Sequence, residues 1–91
     1  MEYAIENEYL IVTVTTWGAQ VKSVVRKFDD VEHMWQADKS VWGYHAPILF
    51  PHTGKVVDDL IETKGEVYQA KQHGFARLME HTLVRQTEDT I

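Results

Sequence analysis

The sequence predicts an all-β protein, and two observations support this class. Short runs rich in valine, isoleucine, threonine and tyrosine alternate apolar and polar residues with the two-residue period of a strand, and turn-forming residues separate them. Apolar residues at helical spacing nowhere extend beyond about two turns. We therefore expect about seven or eight short strands, within a single domain that spans residues 1–91.

Residues 9–16 contain the clearest strand, because β-branched and aromatic residues alternate there between the two faces. Gly18 then permits a tight turn, and residues 20–28 carry a second strand pattern. This pattern ends at Asp29 and Asp30, which favour turns. Two strands separated by so few residues predict an antiparallel hairpin.

The middle of the chain gives weaker signals. Residues 31–35 predict a short third strand, and residues 38–43 predict a loop or a single helical turn with Trp42 anchored in a core. Residues 47–51 form an apolar run enclosed by two prolines, which lack a backbone donor. We expect this run to be an edge strand or an extended buried passage.

A second hairpin is predicted around Lys64 and Gly65, a pair typical of two-residue turns. Its strands would cover residues 60–63 and 66–70, and residues 81–86 resume a strand pattern. Because no further element follows to cover these strands, we expect a homo-oligomer formed through sheet edges or an apolar face.

Composition excludes several classes of function. The net charge is −5 and the basic residues are scattered, so we expect neither a nucleic-acid surface nor membrane binding. The chain has no cysteine, which rules out disulfides and thiolate metal sites. No apolar run approaches the roughly 20 residues of a membrane span, and the first residues do not resemble a secretory signal. A cytoplasmic location is expected.

Residues 72–77 form the densest cluster of chemically capable side chains. His73 precedes Gly74, so its ring lies beside a backbone that a ligand can approach closely. Phe75 offers an apolar wall, and Arg77 offers a forked donor of fixed charge. From the residues alone, two interpretations remain open: a turn with one buried ring and one solvated arginine, or a binding site.

Other candidate groups favour structural interpretations. Five histidines show no close ligand spacing and no accompanying carboxylate, so we expect no metal site. Three tryptophans could form a sugar-stacking platform, but residues of this type more often lie in the core, where we expect them. Asp58 and Asp59 are adjacent, so they would point to opposite faces of a strand, and we expect a solvated turn. The histidines are His33, His45, His52, His73 and His81, and the tryptophans are Trp17, Trp35 and Trp42.

Several segments, taken together and in order, carry a family resemblance. They are Ile5-Glu6-Asn7, Gly18-Ala19, His33-Met34-Trp35-Gln36, Trp42, residues 46–51 with Gly54, Lys64-Gly65 with Tyr68, and residues 73–77. At this spacing they resemble the N-terminal part of the aldose 1-epimerase (galactose mutarotase-like) family, and within it the bacterial LacX-like branch.

The resemblance implies a fold and a chemistry. The family fold is a large antiparallel β-sandwich on which a sugar lies across a concave sheet, and this chain would hold only its N-terminal strands. The family's enzymes interconvert the α and β anomers of aldoses without a cofactor. A base takes the proton of the anomeric hydroxyl while an acid protonates the ring oxygen. The family's acid histidine and base glutamate both come later in the chain, so we expect no catalytic residue here and no activity of these residues alone.

The resemblance also implies substrate-binding residues. His73 matches the family histidine that hydrogen-bonds the sugar, and Arg77 matches an arginine near the anionic group in the branch that prefers sugar phosphates. Lys55 stands where the family usually has arginine, which keeps the charge but loses the bidentate fork. Leu78 stands where an acidic residue often follows the arginine, and His52 replaces a usual apolar residue.

Two classes of function follow. In the first, the chain belongs to an aldose 1-epimerase-family protein whose partner is an aldose or a sugar phosphate, with Lys55 and Arg77 as an anion site. In the alternative, it is a small β-sheet module that binds carbohydrate or another protein without catalysis.

Overall fold

The computed structural model of the protein describes all 91 residues and confirms the all-β, antiparallel class. Six strands and two short 3₁₀ turns form the regular structure. No helix is long and apolar enough to cross a bilayer. The strands are β1 (Glu2–Glu6), β2 (Leu10–Thr15), β3 (Gln20–Arg26), β4 (Val31–Glu32), β5 (Leu60–Thr63) and β6 (Glu66–Gln69), and the 3₁₀ turns are Val57–Asp59 and Ala76–Leu78.

Strands β1 to β4 form one sheet in sequence order, and each neighbouring pair is antiparallel. Val12 lies opposite Ile5 of β1 and opposite Val24 of β3, so one apolar row crosses three strands. The predicted hairpin of β2 and β3 is confirmed. At its turn, Gly18 has a φ of +72°, and a Cβ there would lie 2.8 Å from the carbonyl oxygen of Arg77.

Strands β5 and β6 form a separate two-stranded sheet, which confirms the second predicted hairpin. Its turn residues Lys64 and Gly65 have φ values of +51° and +79°, the conformation that a two-residue hairpin turn requires. Ile61 lies directly opposite Tyr68, so these two side chains share one face, whereas Val67 lies on the other face.

Of the other strand predictions, one is confirmed in part and the rest are wrong. The third strand covers only Val31–Glu32, and residues 81–86 form no strand, so the total is six. Residues 47–51 are extended but not buried: Phe50 is 58% exposed and makes only an isolated bridge to Gly74. The two prolines explain why this run forms no strand, because proline has no backbone N–H to donate to a neighbouring strand.

The C-terminal segment covers part of the outer edge of β1. The backbone N–H of Glu6 donates to the carbonyl oxygen of Glu88 at 2.8 Å, and the side-chain amide of Gln86 donates to the carbonyl oxygen of Ala4 at 2.8 Å. The opposite edge strand, β4, has only two residues. The larger sheet therefore exposes fewer unpaired backbone groups at its edges than the sequence suggests.

The chain has little interior of its own. Ala70 and Ala76 are its only buried hydrophobic residues, and they are still 8% and 6% exposed. The Cα radius of gyration is 16.4 Å, against about 12 Å for a compact domain of this length. Trp17, Trp35 and Trp42 are 50%, 43% and 48% exposed, so their predicted place in a core is wrong for this chain. Much apolar surface therefore faces solvent.

Candidate functional site

The loop that carries the histidine motif is fixed against the proline-rich run. The carbonyl oxygen of Phe50 accepts the backbone N–H groups of Phe75 at 2.9 Å and Ala76 at 3.2 Å. The rings of Phe50 and Phe75 meet edge to face at 6.2 Å. Gly74 has a φ of +71°, and a Cβ there would lie 2.1 Å from the same oxygen. Only glycine permits this close approach of the two backbones.

His73 is clamped by Gly54 at two points. Its backbone N–H donates to the carbonyl oxygen of Gly54 at 2.9 Å, and its ring Nδ1 accepts the backbone N–H of Gly54 at 2.8 Å. His73 itself has a φ of +65°, which is uncommon for a residue with a side chain. Because Nδ1 accepts this hydrogen bond, the geometry leaves the ring proton on Nε2.

The Nε2–H group of His73 is the donor left for a ligand. The amide nitrogen of Gln72 lies 3.5 Å from Nε2, and because this nitrogen can only donate, it does not accept the Nε2–H group. The ring is half-buried. The clamp therefore sets the ring's orientation while one polar edge remains available.

Arg77 is held beside this histidine. Its Nη2 donates to the carbonyl oxygen of Gln72 at 3.1 Å, and its guanidinium carbon lies 5.0 Å from the centre of the Tyr44 ring, within cation–π range. Its Nε is shielded from solvent and has no partner. The side chain is half-buried, so Arg77 is not the solvated arginine expected if residues 72–77 were only a turn.

Lys55 lies next to the histidine clamp through its neighbour Gly54. Its ammonium lies 3.8 Å from the carboxylate of Asp59, and its side chain is 70% exposed. An exposed pair of this kind contributes little to stability, so the ammonium is free to reach another anion. Asp58 and Asp59 belong to the 3₁₀ turn Val57–Asp59, in agreement with the predicted turn.

The three predicted site residues are thus connected through a short path of backbone contacts. Lys55 follows Gly54, which clamps His73, and the residue before His73 binds Arg77. Sequence reasoning missed the orienting role of Gly54 and the aromatic support from Tyr44 under Arg77. Neither could be found from local patterns, because each contact joins residues far apart in the sequence.

Two surface grooves are lined by residues other than these three, although Gly74 and Phe75 of the histidine motif line the first. A groove of about 590 Å³ separates the β5–β6 hairpin from Pro51, His52 and the Phe75–Leu78 segment. A second groove of about 370 Å³ lies between the larger sheet and the C-terminal residues. Neither is lined by His73, Arg77 or Lys55. Lys55 is exposed, whereas His73 and Arg77 are half-buried beside the first groove.

The titratable side chains show no metal-binding geometry. No three His, Asp or Glu side chains come close enough together to hold a metal ion. His81 Nε2 lies 3.0 Å from the carbonyl oxygen of Ala76, and His45 Nδ1 lies 2.8 Å from the carbonyl oxygen of Trp35. These two rings have structural contacts with the backbone.

The antiparallel all-β fold agrees with the family that the sequence resembles. The whole chain, residues 1–91, matches the family model described as aldose 1-epimerase. The chain belongs to the aldose 1-epimerase family.

Curated relatives place the chain within this family. It is 35% identical over 96 residues to the plasmid-encoded and chromosomal LacX proteins of Lactococcus lactis subsp. lactis. Each match covers 100% of this chain and 32% of the relative. The chain therefore spans about a third of the length of these curated relatives.

Two solved structures share its fold. A galactose mutarotase related enzyme from Lactobacillus acidophilus is 41% identical, with a TM-score of 0.93 over 97% of this chain and 29% of that chain. A galactose mutarotase-like protein from Lactobacillus casei is 35% identical, with a TM-score of 0.90 over 97% and 30%. The predicted fold and the predicted LacX-like resemblance are confirmed.

Proposed function

We propose that this chain forms one wall of an aldose-binding site in an aldose 1-epimerase-family protein, and that His73 donates a hydrogen bond to the sugar. The clamp by Gly54 carries this proposal. It orients the ring and leaves Nε2–H as a donor, which suits a hydroxyl oxygen of a sugar.

Arg77 and Lys55 extend the site toward a second ligand class, the sugar phosphates. Arg77 is ordered by Gln72 and Tyr44 and presents a planar fork. Lys55, the residue after Gly54, supplies an exposed point charge. Two cations of different geometry near one oriented donor suit a sugar with an anionic substituent.

Interconversion of anomers needs chemical groups in addition to those that bind the sugar. The reaction requires a base at the anomeric hydroxyl and an acid at the ring oxygen. The groups beside the His73 ring are the backbone N–H of Gly54 and the side-chain amide of Gln72, and neither is an acid or a base. We therefore assign His73 to binding, and we expect these residues alone to be inactive.

Sugar binding can be tested by NMR titration of the chain with galactose and glucose. We expect saturable shifts of the Gly54 and His73 amides, and at least about fivefold weaker binding for His73→Ala, since loss of a hydrogen bond of this kind costs about 1–3 kcal/mol. His33→Ala is the matched control, because His33 lies beyond β4 and outside the clamp. Equal binding by the wild type and His73→Ala would overturn the proposal.

The phosphate class can be tested by calorimetry with glucose 6-phosphate and glucose. We expect at least about tenfold tighter binding of the phosphate, since hydrogen bonds between charged groups contribute about 1.5–3 kcal/mol. Arg77→Lys keeps the charge but removes the fork, so the preference should fall. Equal affinity for the two sugars would remove the anion site.

We also propose that the chain self-associates through its uncovered apolar surface. The β5–β6 hairpin has free edges and exposed side chains, including Val67 at 61% and Tyr68 at 50%. Exposed edges and apolar patches favour association between copies.

A further inference from the structure

Gln20 is the one polar side chain that is buried in this chain. It is 8% exposed and begins β3, where it pairs with Thr15 of β2. Its side-chain oxygen accepts the backbone N–H groups of His45 at 3.2 Å and Ala46 at 3.1 Å. A loop segment outside the sheet is thus fixed to the first residue of a paired strand.

The backbone that Gln20 holds carries the aromatic support of Arg77. Tyr44 directly precedes His45, and its ring centre lies 5.0 Å from the guanidinium carbon of Arg77. Residues 43–46 take part in no backbone-to-backbone hydrogen bond. The two bonds to Gln20 are therefore the only hydrogen bonds that the backbone of this segment makes.

The turn that leads into Gln20 also holds the backbone around Arg77. The N–H group of Gly18 donates to the carbonyl oxygen of Met79 at 2.7 Å. A Cβ on Gly18 would lie 2.8 Å from the carbonyl oxygen of Arg77, so the two backbones are in close contact. The β2–β3 turn therefore contacts both segments that meet where Arg77 lies against Tyr44.

We propose that Gln20 is a positioning residue for the sugar-phosphate site. By holding the two amides that follow Tyr44, it keeps the Tyr44 ring against Arg77 and so sets the orientation of the guanidinium. This inference rests on the proposed function, in which Arg77 contacts the anionic group of the ligand. A planar guanidinium binds two oxygens of an anion through parallel N–H groups, so its orientation determines how well it binds.

This role separates the two ligand classes of the site. The neutral sugar is recognised by His73, whose ring is oriented by Gly54 and not by Gln20. The anionic group is recognised by Arg77, whose support depends on Gln20. Loss of the Gln20 oxygen should therefore weaken the binding of a sugar phosphate and leave the binding of the neutral sugar unchanged.

The test compares Gln20→Met with the wild type in calorimetry. Methionine has a similar length but only a weak acceptor. We expect about fivefold weaker binding of glucose 6-phosphate, as for loss of an average cation–π contact, and a change within about twofold for glucose. Tyr44→Leu, which keeps the Gln20 hydrogen bonds, should cause a similar loss.

Gln86→Met is the matched control for the substitution. The side-chain amide of Gln86 donates to the carbonyl oxygen of Ala4 in β1 at 2.8 Å. The same change therefore removes a side-chain hydrogen bond to the backbone without touching the support of Arg77. Its affinities for glucose and glucose 6-phosphate should both equal those of the wild type.

NMR of the chain without ligand tests the positioning itself. The Nε of Arg77 is shielded from solvent, so its N–H signal should be observable and should respond to the nearby Tyr44 ring. We expect this signal to move in Gln20→Met and to return in Gln20→Glu, whose carboxylate can accept the same two N–H groups. Adding Gln20→Met to Tyr44→Leu should move it no further.

An unchanged Arg77 signal in Gln20→Met would overturn the positioning role. Equal losses of affinity for glucose and glucose 6-phosphate would overturn it too, because a general loss of structure would explain them. A wild type that binds the two sugars equally would instead contradict the proposed anion site. The NMR comparison needs no ligand, so it would still decide whether Gln20 positions Arg77.

Discussion

At the scale of single residues, glycine determines what the histidine motif can do. Gly54 gives His73 both a backbone and a ring contact, and Gly74 lets the loop approach Phe50. The motif at residues 73–77 could be found from the sequence because the resemblance marks it. The clamp could not, because its two partners are 19 residues apart.

The tautomer of His73 is a direct consequence of the clamp. Nδ1 accepts the Gly54 N–H at 2.8 Å, so we expect the proton on Nε2 at neutral pH. Long-range ¹H–¹⁵N NMR of the ring distinguishes the two tautomers. A proton on Nδ1 would contradict the assignment of Nε2–H as the ligand-facing donor.

Gly74→Ala should release the loop from the proline-rich run. A Cβ would lie 2.1 Å from the Phe50 oxygen, and overpacking typically costs about 1–3 kcal/mol. We expect the Phe75 and Ala76 amides, which donate to that oxygen, to exchange with deuterium at least about fivefold faster.

Gly65→Ala is the control for this change. Gly65 also has a positive φ, at +79°, but no atom lies within 4 Å of the added Cβ. Its effect on the Phe75 and Ala76 amides should therefore be small. Equal acceleration in the two variants would show that backbone conformation, and not the close approach to Phe50, explains the need for glycine.

At the scale of elements, β4 is held to the sheet by a side chain as much as by its two residues. The Glu32 carboxylate accepts a hydrogen bond from the Ser23 hydroxyl and from the N–H groups of Val24 at 2.8 Å and Met34 at 3.1 Å. The Ser23 hydroxyl is the largest of the causes that hold the pKa of Glu32 below its ordinary value of 4.5.

This pKa predicts how the β3–β4 contact responds to acid. Because the pKa of Glu32 is lower in the folded chain, the carboxylate stabilises the contact above the ordinary value of 4.5. The stabilisation is lost as the pH falls through the lowered pKa. NMR titration of the Glu32 carboxyl should show this low midpoint, and Ser23→Ala should raise it. A wild-type midpoint at or above 4.5 would contradict the hydrogen-bonded geometry.

Local turn chemistry explains which elements the sequence predicts. Both hairpins are predicted correctly because each consists of two consecutive strands that a short turn joins and that pair with each other. Strand β1 escapes prediction as a strand, and residues 81–86 are wrongly predicted as one. Pairing of such segments depends on partners distant in sequence, which strand propensity does not report.

At the scale of the whole molecule, the exposed tryptophans show the limit of burial rules. Apolar composition predicts that Trp17, Trp35 and Trp42 lie inside, yet all three are about half-exposed. A side chain is buried only when other layers cover it, and this chain spans about a third of its curated relatives. The sequence therefore predicts the fold of the family correctly, but it does not predict how exposed these tryptophans are in this chain.

Uncovered surface should also make the isolated chain associate with itself. In sedimentation velocity, we expect the weight-average mass to rise above 10.6 kDa with concentration. Tyr68→Lys, which charges the groove wall, should reduce the rise because it disrupts an apolar contact. A monomer at every concentration would count against self-association.

The central claim is that the residues around His73 bind a sugar, whereas conversion of its anomers needs groups outside this chain. Polarimetry of freshly dissolved α-galactose with the isolated chain tests it most directly. We expect the optical rotation to approach equilibrium at the rate of buffer alone. A faster, protein-dependent approach that disappears in His73→Ala would contradict the claim, because it would make His73 part of a complete catalytic site.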